Sequence, residues 1–361
     1  SRVSPAILRF AHSFARRVSS VLYAPTLSIA METLSSIAFV IGLVFTMSAA
    51  NADVTWRMAT KQPSDSVEGK AFQYFADKVK EYSDGKMTIK IYPSEQLGKT
   101  AAALEQVKAG TVHIYPEGSA YLKKWVPDMS YMSAPFMFDN REHWARFMES
   151  DLLKGWLKQV EDKAGITLIG NPAAFMRGPY RVMVTKKPWK NMAELKGIKL
   201  RHHPNQLGVD VWTSLGLEVR VLGWTEVYES IQRGIVEAVN SPIALVEAMK
   251  FYEVAPNIVR HNEYPQGIGF MTNAKAYNGL PPDLRKAVDR AYDEAGKYSV
   301  KLTMEVTDKS IARMKEKGVT YNEPDTSDII KAMQEYYSKL DKAGDLPKGF
   351  VETVNKTRTS E

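Results

Sequence analysis

From Pro282 to about Lys317 the chain keeps a single helical period, with no internal proline and one internal glycine, Gly296. Leu284, Val288, Tyr292, Ala295, Tyr298 and Leu302 recur at three- and four-residue spacing and form one apolar stripe. A helix of ~35 residues is ~50 Å long, whereas a lobe of ~150 residues measures nearer ~40 Å across by radius-of-gyration scaling. Such a helix overruns any single lobe of that size. The spacing therefore predicts two compact bodies with one helix laid across both.

The flanking sequence supplies those bodies. Val54–Thr60 reads as a strand, and Ser66–Ser83 as a helix with Val67, Ala71, Phe75 and Val79 on one face. Asp65 and Glu68 have capping-box spacing at its start. Met87–Tyr92 alternates as a strand, Thr100–Ala109 is a helix closed by Gly110, and Thr111–Tyr115 is the next strand. This β-α-β-α-β order predicts a parallel sheet. Tyr180–Lys186, Ile198–Arg201, Glu218–Leu222 and Ile235–Asn240 repeat the pattern as strands, with helices over Leu207–Leu215 and Thr225–Arg233. The expected fold is α/β and two-lobed, with parallel-rich sheets, a ligand cleft between the lobes and the long helix spanning both. One lobe is expected from residues 53–178 with 267–305, the other from 179–266 with 306–361. Ser327–Gly344 reads as a further amphipathic helix, and the last dozen residues, rich in Lys, Thr and Ser, as frayed.

Leu34–Ala50 is apolar and uncharged, only 17 residues long, and ends in Ala50-Asn51-Ala52, a small-residue cleavage site. That is the pattern of a secretory signal peptide, with residues 1–52 its leader and Asp53 the mature start. The chain has no cysteine, so an exported product is held by its core alone and offers no lipid attachment site. The mature chain is therefore expected to diffuse freely in a periplasm. Removing four arginines and one glutamate with the leader lowers the net charge from +7 to +4. Those charges are interspersed, which argues against a nucleic-acid partner.

Enzyme signatures are missing. There is no cysteine nucleophile, no Gly-x-Ser-x-Gly elbow and no phosphate loop of the Gly-x-x-x-x-Gly-Lys type. His202 and His203 are adjacent, and adjacent strand residues point to opposite faces, so they do not make a metal pair. No cofactor or metal is called for. The charged pattern that does stand out runs from Arg177 to Arg201 (RGPYRVMVTKKPWKNMAELKGIKLR), followed by EVYESIQRGIVEAVNSP at Glu226–Pro242. An arginine leaving a strand end into a cleft is a ready fork for one carboxylate.

This segment resembles, in order, the second lobe of the solute receptors of tripartite ATP-independent periplasmic (TRAP) transporters, the DctP-like family. The likeness extends over essentially the whole mature chain to about Gly344. It implies a periplasmic receptor that binds a small organic acid (a C4-dicarboxylate, sugar acid or keto acid) and hands it to the membrane subunits of a permease, as a monomer. In that family the strand ending Lys-x-Arg supplies the arginine that clamps the ligand carboxylate, here Arg201. Arg181, seven residues before Pro188, stands where a second ligand-facing arginine is common, with Arg177 as its competitor. Trp224 occupies the place of an aromatic against the ligand, and Asn240 and Ser241 end a strand at the hinge side. Glu226 and Tyr228 match the family's Glu-x-Tyr helix start and are assigned to capping and packing. Two departures mark the site: Val236-Glu237-Ala238-Val239 replaces the usual Val-Asp-Gly, and His203 stands where proline is usual, with Pro204 one place later. From the first lobe, Glu117, Lys61 and Gln62 follow strands that should end at the cleft. Two other functions fit the same residues: an exported two-lobed enzyme acting on an organic acid, and a ligand-binding input module for a sensor kinase.

Overall fold

The structure is a computed structural model that describes residues 53–358. The leader and signal peptide read from residues 1–52 lie outside the described residues. Twelve strands among the described residues form two sheets. They are β1 (Val54–Ala59), β2 (Met87–Tyr92), β3 (Ile114–Glu117), β4 (Ile166–Ile169), β5 (Phe175–Met176), β6 (Arg181–Thr185), β7 (Lys199–His202), β8 (Glu218–Val221), β9 (Ala238–Pro242), β10 (Asn257–Arg260), β11 (Gly267–Asn273) and β12 (Thr320–Asn322).

The first sheet runs β2-β1-β3-β11-β4, with β5 paired to β11, and the second runs β12-β10-β6-β9-β7-β8. Each β-α-β unit is parallel as the sequence predicts: β1 with β2 and β3, β7 with β8 and β9. The sheets are nonetheless mixed rather than parallel-rich. β11 enters antiparallel against β3, β4 and β5, and β6 lies antiparallel between β9 and β10. Both pair with strands far away in sequence, which local periodicity does not encode. The chain crosses between the sheets at residues 177–180 and returns at 261–266.

The helix Val67–Tyr82 begins at Ser66, whose hydroxyl accepts from Gly69 N at 3.0 Å. Ser66, rather than Asp65, is its cap. The helix Thr100–Ala109 stops at Gly110, which takes a left-handed φ of 75°. The long helix spans Pro282–Glu316, 35 residues. Leu284, Val288, Ala291, Tyr292 and Ala295 pack in a core with Phe72, Phe75 and Phe270 under the first sheet. At its other end Met314 joins Val182, Val184, Val239 and Ile258 of the second. The helix therefore bridges both sheets. Its apolar stripe changes in the middle: Tyr298 and Leu302 are half-buried, and the buried positions there are Ser299, Thr303, Thr307 and Ser310. That segment lies where the chain crosses between sheets, and Ser299 accepts from Met176 N at 3.2 Å.

The C-terminus departs from the frayed tail read from its composition. After the helix Ser327–Ala343, Phe350–Lys356 forms a second helix with Phe350 and Val354 fully buried. Phe350 packs on Phe147 and Trp156, and Arg146 Nε donates to Thr357 O at 2.7 Å. Two apolar residues four apart outweigh the polar ones around them. Among the described residues no helix is long and apolar enough to cross a membrane.

Candidate ligand-binding site

The carboxyl ends of parallel strands are where α/β sheets place their ligands, and three such ends converge here. Lys61 and Gln62 follow β1, Glu117 ends β3 and Arg201 lies one residue from the end of β7. Alternation along β7 sends Leu200 into the core and Arg201 to the opposite face. Together with Trp224 after β8, Asn240 of β9 and Arg181 of β6, they line one cavity of about 40 Å³.

Every lysine, arginine and carboxylate that is buried among the described residues belongs to this cluster: Lys61, Glu68, Glu117, Arg177, Arg181, Arg201 and Glu263. Arg177 is held by Glu68 through a two-pronged pair, Nε–Oε1 and Nη2–Oε2, both 2.7 Å, and its Nη1 donates to Glu117. Lys61 Nζ sits 2.9 Å from the other oxygen of Glu117. Arg181 donates from Nε to Glu263 at 2.8 Å and from Nη1 to Gln266 at 2.7 Å, with its guanidinium 4.6 Å from the Tyr264 ring centre. Both of these arginines are spent on the protein's own carboxylates.

Arg201 is different. Its Nε donates to Leu222 O at 3.0 Å and its guanidinium lies 5.4 Å from the Trp224 ring. Among the described residues it has no carboxylate partner, and both Nη groups are free toward the cavity it lines. Burial, reinforced by the nearby Arg181 charge, pulls its pKa down to about 10. Burial likewise lowers Lys61 to about 8, with Arg177 and Arg201 adding to the effect. Both stay cationic at neutral pH. Gln62 is buried beside them with neither its amide oxygen nor its nitrogen hydrogen-bonded. A buried amide without partners is costly, and this one lines the same cavity.

Behind the cavity lies a neutral histidine layer around Glu263. The backbone N–H of Glu263 donates to His261 Nδ1, which leaves His261 Nε2 to donate to Asn240 Oδ1 at 3.0 Å. Trp212 and Arg181 donate to the Glu263 carboxylate. Burial pushes His202 and His261 down to about 4 and His203 well below its ordinary value. His202 packs so closely on Gly208 that a Cβ there would meet its Cε1 at 2.3 Å. His203 lies just past the end of β7, and its ring stacks on His202 at 4.2 Å. Strand alternation does not extend to it, so the opposed-faces argument for this pair fails.

The structure thus gathers Lys61, Glu117, Arg181, Arg201, His203, Trp224 and Asn240 around one cavity, with Gln62 and Arg177. Ser241 is not brought there. It follows Asn240 along β9, faces the other way, and its hydroxyl donates to Pro242 O at 2.9 Å. Trp224 serves two roles, lining the cavity while packing edge-on against Phe251 at 5.1 Å. Tyr228 acts locally, donating to Glu253 at 3.0 Å, whereas Glu226 both caps locally, accepting from Gly223 N at 2.8 Å, and pairs with Lys99 at 3.0 Å. Sequence reading missed Glu263, Tyr264 and Gln266, which lie on the return crossing and carry no periodic signal. It also took Glu68 for a capping residue, although its spacing to Arg177 in space is what matters.

Two mixed sheets joined by crossing segments, a bridging helix and a buried cationic cavity define a two-lobed solute receptor. The chain belongs to the bacterial extracellular solute-binding proteins of family 7 (DctP), whose model matches residues 58–343. Proteins of this family are periplasmic ligand-binding components of TRAP transporters. A solute-binding protein of Roseobacter denitrificans is 28% identical over 252 residues, 70% of this chain and 76% of the relative. The 2,3-diketo-L-gulonate-binding periplasmic protein of Escherichia coli K12 is 26% identical over 282 residues, 78% of this chain and 84% of that one. A TRAP periplasmic solute-binding protein of Actinobacillus succinogenes, solved with bound L-galactonate, superposes with a TM-score of 0.74. It is 25% identical and covers 84% of this chain and 99% of its own.

Proposed function

We propose that this protein captures a small organic acid through an Arg201–carboxylate clamp and delivers it to a TRAP-type membrane permease. The observation that carries the reading is the buried, cavity-facing guanidinium of Arg201, which pairs directly with no carboxylate among the described residues. A ligand carboxylate meets that fork through two parallel N–H bonds. Trp224 offers an aromatic face to the ligand's carbon skeleton, and Lys61, Glu117, Asn240, His203 and Gln62 surround its polar groups. Arg181 contributes whatever remains of its fork after Glu263 and Gln266. The relatives that bind 2,3-diketo-L-gulonate and L-galactonate support an acid of sugar-acid or keto-acid size.

In the same proposal the lobes are residues 53–178 with 267–305 and 179–266 with 306 onward, as the membership of the two sheets suggests. They close about the segments 177–180 and 261–266, exclude water and strengthen each charge-assisted bond. The protein is exported by a cleaved signal peptide ending at Ala52 and acts as a monomeric, freely diffusing receptor without turnover of its ligand. A thermal-shift screen over organic acids tests this. A ligand at a hundred times its Kd adds ~2.7 kcal/mol of stability. A screen in which no acid raises the melting temperature overturns the reading.

A further inference from the structure

Among the described residues the buried charges do not cancel. Lys61, Arg177, Arg181 and Arg201 supply four positive charges, and Glu68, Glu117 and Glu263 supply three negative ones. Each carboxylate is matched within the protein: Glu68 by Arg177, Glu117 by Arg177 and Lys61, Glu263 by Arg181. The histidines around them add no charge, since burial keeps His202, His203 and His261 neutral. One positive charge, that of Arg201, is left over. Of the outer lysines that line a pocket with Arg201, Lys99 pairs with Glu226, Lys124 with Glu105, and half-exposed Lys123 donates to Pro204 O.

We infer that the cavity is built for a ligand with one negative charge and a neighbouring hydroxyl, a hydroxymonocarboxylate, and discriminates against dicarboxylates. One carboxylate on Arg201 brings the buried cluster to neutrality. A second has no free cation to meet it and faces Glu117, whose own partners are already engaged. The hydroxyl follows from Gln62. Its unpartnered buried amide needs a group that both accepts from nitrogen and donates to oxygen, and among ligand groups a hydroxyl does both. The inference rests on the receptor reading above and narrows it.

Calorimetry on the mature chain with matched pairs tests it: galactonate against galactarate, and succinamate against succinate. Each pair keeps its skeleton and differs by one ionised carboxylate. The monoanion of a pair is expected to bind at least about thirty-fold more tightly, the low end of the effect of an unpaired buried charge. Where a dianion does bind, heats measured in buffers of different ionisation enthalpy are expected to reveal uptake of about one proton. A dianion that binds within about three-fold of its partner, without proton uptake, overturns the inference while leaving the receptor reading standing. If none of the four acids, nor any acid of the thermal screen, binds, the receptor reading itself falls, and this inference with it. Glu117→Gln, which adds one net positive charge, is expected to narrow or invert the ratio. Gln62→Leu is expected to reduce the preference for a hydroxylated acid over its deoxy counterpart by about ten-fold. The buffer comparison on the unmodified protein decides the matter even if neither variant folds.

Discussion

Two of the arginines buried among the described residues, Arg201 and Arg181, are expected to respond differently to removal, because their partners differ. Arg201→Ala takes away the one buried fork with no carboxylate partner among the described residues, so the ligand's charge is left buried and unpaired. That costs ~2–5 kcal/mol of binding, roughly thirty-fold to a few thousand-fold in affinity. Arg201→Lys recovers little, since an ammonium does not reproduce the planar fork. An Arg201→Ala protein that stays folded and binds within about three-fold of wild type refutes the clamp. Arg181→Ala strands Glu263 in the core instead, and breaking a buried pair in this way costs ~3–5 kcal/mol of folding stability. Urea denaturation distinguishes the two, the first variant losing affinity and the second losing stability. The buried histidines set a pH dependence. His202 and His261 fall to about 4 in the folded chain from an ordinary value of 6.5. Between those values the unfolded chain binds the protons, so stability falls as pH drops from about 6.5 toward 4, by up to ~1.4 kcal/mol per pH unit for each histidine. A melting temperature flat across that window contradicts the buried neutral layer.

At the scale of elements, the C-terminal helix Phe350–Lys356 makes the clearest demand. Phe350 is fully buried against Phe147 and Trp156, and His143 Nε2 meets Val354 O at 2.8 Å. Phe350→Ala is expected to cost ~3–5 kcal/mol, the ordinary loss for emptying an aromatic site in a core. A change below ~0.5 kcal/mol in urea denaturation shows that the tail carries no packing. Composition concealed this helix because seven residues hold too little of a period to be read, while the strongly periodic stretches 66–83, 282–317 and 327–344 were legible almost to the residue. Strand pairing followed the same division. The parallel β-α-β neighbours were visible from element order, but nothing local announced that β11 and β6 would lie antiparallel in the middle of their sheets.

At the scale of the molecule, the lobes meet at the cleft mouth through Lys99–Glu226 at 3.0 Å and Thr225 Oγ1 donating to Glu95 at 2.8 Å. These groups are exposed, so such contacts contribute little, ~0.2–1 kcal/mol for an exposed pair. Lys99→Ala is expected to weaken ligand binding by less than about five-fold, an effect that shrinks with added salt. A loss of a hundred-fold makes the mouth, rather than Arg201, the main determinant of closure. Ligand binding is also expected to shrink the radius of gyration in solution scattering, since the segments 177–180 and 261–266 allow hinge closure. An unchanged radius at confirmed saturation means a rigid pocket.

Taken alone, the sequence determined what rests on local periodicity, namely the α/β class, the bridging helix and the parallel units, and its resemblance to a known family singled out Arg201 near the end of its strand. It also located Lys61, Gln62 and Glu117, because each stands just after or at the end of a readable strand. Only the tertiary structure decided how the charges pair. Glu68 meets Arg177 across 109 residues and Glu263 meets Arg181 across 82. Electrostatic complementarity in a buried site depends on distance in space and on which groups lose their water, neither of which is encoded in spacing along the chain. That is why Arg201 could be named from the sequence, but its being the one buried arginine among the described residues with no direct carboxylate pair could not.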